Sequence, residues 1–125
     1  MNNDFSKDEV LILRNMNAIA DNFPWEGRKA IAMAAEYFSV EGIDADIMRM
    51  KECEEIIRNN TRFLSPFRGH LKMVLICQMY DKENPEEFFF SIQEEGAEHY
   101  LEKLLEEDDI FAEFLRGAMH ADIFA

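Results

Sequence analysis

The sequence has little that would staple it covalently or carry it through a membrane. Its 125 residues include only two cysteines, Cys53 and Cys77, in no paired or closely spaced motif. Neither a disulfide framework nor a cysteine-rich metal site is expected. Both fall within apolar stripes, where a reduced thiol behaves as a small hydrophobe. The longest nearly apolar run, Met73 to Tyr80, is well short of the roughly 18 residues that a membrane-spanning helix needs. The opening Met1-Asn2-Asn3-Asp4 lacks the basic segment of a secretory signal. The expectation is a cytoplasmic chain with no membrane partner. Strand signals are missing too: no segment alternates polar and apolar residues for long, and no hairpin turn pair occurs.

Positive charge is scarce. Thirteen Lys and Arg face 26 Asp and Glu, a net charge of -13. The imbalance is uneven: residues 58–80 hold Arg58, Arg62, Arg68 and Lys72 and no acid, whereas residues 81–113 hold 13 acids and two bases. Such a surface repels phosphate backbones, so no nucleic-acid partner is expected. Solubility is the plain reading of the acidity.

What is present in quantity is apolar material, 48% of the chain with 11 Phe and 8 Met, enough to close a core. It recurs at helical spacing, which predicts an all-α fold in one domain, 1–125. About six helices are expected, packed as antiparallel helical hairpins in a short α-hairpin stack or an irregular bundle. Ser6 and Glu9 form a capping box, with Phe5 and Val10 placed as a hydrophobic staple, at the head of a helix over 7–21. Pro24 opens a second helix to Phe38, and Asp44 caps a third. There Ile47, Met50, Cys53 or Glu54, and Ile57 share one face. Ser65-Pro66 opens a fourth helix through Tyr80, apolar on nearly every side. Asn84-Pro85-Glu86-Glu87 launches a fifth to about Glu106, with Gly96 on its apolar stripe. Asp108 or Asp109 caps the sixth. A unit of buried helix, turn and amphipathic helix begins near Arg28 and again near Arg68, and Arg116-Gly117 echoes Arg68-Gly69. Ile123 and Phe124 close the sequence with two large apolar side chains, which either pack back or mark a fragment of a longer protein.

Three groups of residues could carry chemistry. Arg62, Ser65, Arg68, Gly69, His70 and Lys72 gather at the start of the fourth helix, where free N–H groups and arginines could grip a phosphate or carboxylate. The competing reading pairs Arg58, Arg62, Arg68 and Lys72 with the acidic fifth helix and leaves no site. Glu95 and His99 stand four apart and could begin a metal site, but the carboxylate–imidazole signature of helical bundles needs a copy on a second helix, and none is present. A solvated acidic face explains them better, so neither a metal nor any other cofactor is expected. The methionines read as core filler, and Trp25 as closing the base of the second helix.

The order Phe23-Pro24-Trp25-Glu26, Glu55-Ile56-Ile57, Phe63-Leu64-Ser65-Pro66-Phe67-Arg68-Gly69 and Asn84-Pro85-Glu86-Glu87 resembles an uncharacterised bacterial family of all-helical proteins, over about residues 23–120. The resemblance implies an all-helical fold and longer relatives, and brings no catalytic residue with it. No constellation competes well for catalysis. The expected function is therefore a helical protein-interaction or regulatory module whose partner is another protein or its own twin. The alternative is a protein that binds a small anion or phosphorylated metabolite at the basic start of the fourth helix.

Overall fold

The computed structural model describes residues 7–60 and 68–124, with side chains for 9–60 and 71–118. Among the described residues there are seven helices and no strand: α1 (Lys7–Asn22), α2 (Arg28–Val40), α3 (Ile47–Arg58), α4 (Arg68–Tyr80), α5 (Pro85–Glu95), α6 (Ala97–Glu106) and α7 (Ile110–Phe124). The all-α expectation holds, and the count is seven rather than six. The Ser6 cap, the Phe5 staple and Ser65-Pro66 lie outside the described residues. The chain forms two compact units, Met1–Ile47 and Met48–Ala125.

In the first unit α1 packs along α2. Ala30, Ala34 and Ala35 are buried on α2, and such small side chains let two helix backbones come close. The second helix does not start at Pro24 as expected. Glu26 N–H donates to Phe23 O at 3.0 Å, closing a four-residue turn with Pro24 in its second position, where a φ fixed near -65° suits a turn as well as a helix. Gly27, extended at φ -71° and ψ 155°, is the true N-cap. At the other end Gly42 has φ 77°. Its N–H reaches Ser39 O at 3.0 Å and that of Ile43 reaches Phe38 O at 3.1 Å, the Schellman pattern that favours glycine.

A buried polar cluster joins the hairpin to the segment beyond it. Asn15, 1% exposed, donates through Nδ2 to Ser39 Oγ at 3.2 Å and to Ile43 O at 3.0 Å. Its Oδ1 accepts from Ala45 N–H at 2.8 Å, and Ser39 Oγ donates on to Ala35 O at 2.6 Å. Beside it Arg14 Nε and Nη2 clasp the Asp44 carboxylate at 2.8 and 3.1 Å. Asp44, expected to cap α3, is held by α1 instead, and α3 begins three residues later.

The second unit is organised on α4, whose Leu71, Val74, Leu75, Ile76, Cys77 and Met79 are all fully buried. It packs against α5 and α7. Asn84 caps α5 as expected, its Oδ1 accepting from Glu87 N–H at 3.0 Å with Pro85 in the first turn. Asp109 caps α7 through Ala112 N–H at 2.9 Å. The long fifth helix, however, is two. Gly96, at φ 99° and ψ 140°, ends α5 and starts α6, a conformation that only glycine adopts at low cost. Two arginines finish helices whose last carbonyls lack partners: Arg49 donates to Tyr80 O and Lys82 O at 2.6 and 2.5 Å, and Arg116 donates to Leu105 O and Glu107 O at 2.6 and 3.0 Å. Each puts a cation where the helix dipole favours one.

Candidate functional site

Of the six residues at the basic start of the fourth helix, Arg62 and Ser65 lie outside the described residues. Arg68, Gly69 and His70 form the first turn of α4, with side chains outside the described set. Lys72 is the one whose side chain is placed, and it turns to an acid: its Nζ lies 2.9 Å from Glu54 Oε2. Arg58 reaches the same carboxylate, Nη2 to Oε1 at 2.8 Å. Glu54 is 2% exposed. The basic window was expected to pair with the acidic fifth helix; Arg58 and Lys72 instead meet an acid on α3. The amphipathic spacing of α3 explains it, since Glu54 sits one turn from Met50 and from Ile57 on the buried face, and a carboxylate carried there needs cations around it. With a cation on each oxygen, Glu54 clamps α3 to α4.

The second group straddles the Gly96 break. Lys103 Nζ contacts Glu95 Oε2 at 2.6 Å, and His99 Nε2 lies 3.3 Å from the same oxygen. Glu95 thus meets a base and an imidazole. Among the described residues no cluster of three or more His, Cys, Asp or Glu is placed to hold a metal ion.

The third group is a row of acids. Strong segregation on α6 buries Tyr100, Leu101 and Leu104 and leaves Glu98, Glu102 and Glu106 exposed at successive four-residue steps. Lys103, the basic residue of α6, reaches back to Glu95. Glu107, Asp108 and Asp109 continue the exposed acidic surface beyond the helix. Like charges four apart on a helix cost a few tenths of a kcal/mol each, so the row is not there for helix stability. The sequence shows Glu98, Glu102 and Glu106 at successive four-residue steps, and the structure shows that all three are exposed.

The remaining residues singled out by sequence fall as follows. Met33, Met50, Met73 and Met79 are buried filler, while Met48 is exposed. Trp25 does not close the base of α2: it is 56% exposed, edge-on to Phe23 with ring centres 5.9 Å apart. Open depressions among the described residues include one of about 460 Å³ beside Lys82, Asn84, Phe88 and Ser91 in the second unit and one of about 390 Å³ beside Ile12, Glu36, Ser39 and Val40 in the first. Among the described residues every buried side-chain nitrogen and oxygen has a hydrogen-bond partner.

Cys53 and Cys77 are buried and joined in no disulfide. Burial pushes the Cys53 thiol up to about 11 from an ordinary 9.0, against a smaller opposing pull from Arg49. At pH 8 the thiolate fraction is then about 100-fold lower than that of an unperturbed thiol. Native protein is expected to react with a thiol-specific reagent at least that much more slowly than denatured protein. Rapid native labelling at Cys53, located by peptide mapping, would contradict this.

Comparisons with models of known protein families, with curated proteins and with solved structures find no match to this chain. What it does is therefore read from its own residues.

Proposed function

We propose that the chain is a helical interaction module whose acidic α6 surface engages a basic segment of a partner protein. The observation that carries this reading is the row Glu98, Glu102 and Glu106, exposed along α6 while Lys103 is turned back to Glu95. Several of the described bases are engaged away from this row: Arg14 on Asp44, Arg58 and Lys72 on Glu54, Arg49 and Arg116 on helix ends. A repulsive row that weakens its own helix is what a surface shaped for an opposite charge would keep. The packing of consecutive helices, α1 on α2 and α6 on α7, supports a hairpin arrangement. Two buried cysteines joined in no disulfide support a reducing, cytoplasmic setting. The small-anion reading has weaker support, because Lys72 faces Glu54 rather than an open turn.

The test is a fluorescence-anisotropy titration of a labelled lysine-rich peptide. The triple variant E98Q/E102Q/E106Q is expected to lose at least about tenfold in affinity, and to melt slightly higher at low salt because its row no longer repels itself. A control triple, E36Q/E41Q/E55Q, removes the same charge from exposed positions elsewhere and should bind nearly as wild type. Equal losses in the two triples would reduce the binding to net charge and overturn the reading.

A further inference from the structure

A straight helix from Pro85 to Glu106 would place Phe89, Ile92, Gly96, Tyr100 and Leu104 in one stripe at three- and four-residue steps. The chain instead bends at one residue, and the bend leaves polar groups unmet. Gly96 N–H still reaches Ile92 O at 2.9 Å and Tyr100 N–H reaches Gly96 O at 3.0 Å. The intervening amides of Ala97, Glu98 and His99 are the first-turn donors of α6, and Gly96 supplies no side-chain cap for them. Continuing the helix would give each an acceptor, at Gln93, Glu94 and Glu95.

The bend is held from the far side. The Tyr100 hydroxyl donates to Gln78 Oε1 on α4, Lys103 ties α6 to Glu95, and α7 packs on α4 with Phe111 and Leu115 buried. A straightened chain would lose all of these and expose the apolar face of α6 and α7. It would regain them only from a second copy whose own hinge is open, in a reciprocal and closed arrangement.

We propose that Gly96 is a hinge at which two copies of this chain exchange residues 97–124, each converting α5 and α6 into a single helix. The exchange does not depend on the acidic row binding a partner, and the experiment below does not touch that row.

Three full-length variants are compared by size-exclusion chromatography with light scattering. Gly96→Ala forbids the positive φ and favours the straight helix, since the space around an added Cβ is open. With two hinges per dimer it is expected to raise the dimerisation constant by about a thousandfold. Ala97→Pro does the reverse: proline fits the first position of α6, accepts the ψ of 140° at Gly96 before it, and forbids a continuous helix, so it should stay monomeric. The double variant should return to monomer. In the Gly96→Ala dimer, hydrogen exchange should show new protection at Ala97, Glu98 and His99. A folded, monomeric Gly96→Ala protein overturns the proposal, as does a dimer with those three amides unprotected. Should Gly96→Ala precipitate, wild type held concentrated just below its melting temperature and then cooled must yield a slowly dissociating dimer that Ala97→Pro does not; its absence is equally fatal.

Discussion

Lys72→Met lowers the stability of the second unit by about 3 kcal/mol, because it takes a cation away from the buried Glu54 carboxylate. Glu54 is 2% exposed. Arg58, 62% exposed at its side chain, remains as a partner but is shared with solvent, which weakens its hold. Chemical denaturation checks the value. The companion measurement is the double variant E54L/K72M, which replaces the charge pair by apolar groups of similar size and is expected to recover to within about 1 kcal/mol of wild type. A single Lys72→Met variant as stable as wild type would mean that the lysine does not hold the carboxylate. A double variant worse than the single would mean that Glu54 is needed for something besides its partner.

Asn15→Ala is expected to cost the first unit about 2–3 kcal/mol, the price of three hydrogen bonds and two stranded backbone groups. Ile43 O loses its donor and Ala45 N–H its acceptor, so the segment after α2 should come loose from α1. The melting temperature should fall by roughly 10 °C, and hydrogen exchange should speed up through α1 and residues 43–45. Asn17→Ala, two residues away on the exposed side of the same helix, is the control and should change stability by less than about 0.5 kcal/mol. Similar losses at both positions would assign the effect to helix propensity rather than to the buried amide.

Much of the helical framework was legible because its signals are local. Asn84-Pro85 and Asp109 carry their caps within three residues, and α4, apolar on nearly every side, announces its burial. Where the reading failed, the deciding partner was distant or the local signal had two meanings. Pro24 fits either a helix start or a turn, and only the Glu26-to-Phe23 hydrogen bond chooses between them. Asp44 is a good cap in isolation, but Arg14 competes for it from 30 residues away. Gly96 falls within an unbroken apolar stripe, and one of the contacts that hold the bend, Tyr100 to Gln78, joins residues 22 apart.

The candidate site was legible in the same uneven way. The density of acid in 81–113 is plain in the sequence, as is the basic window before it. That Arg58 and Lys72 turn to an acid on α3 had one sign: Glu54 shares the apolar face of α3 with Met50 and Ile57, and an acid on such a face calls for bases from somewhere. Which bases answer is set by how α4 lies on α3, and no local spacing encodes that.

The most direct test of the central claim is amide chemical-shift mapping of the full chain while the lysine-rich peptide is added. The account expects the shifts to concentrate on residues 98–109 of the second unit, along the row Glu98, Glu102 and Glu106. Shifts spread evenly over exposed acids of both units, or centred on α1 and α2, would contradict it.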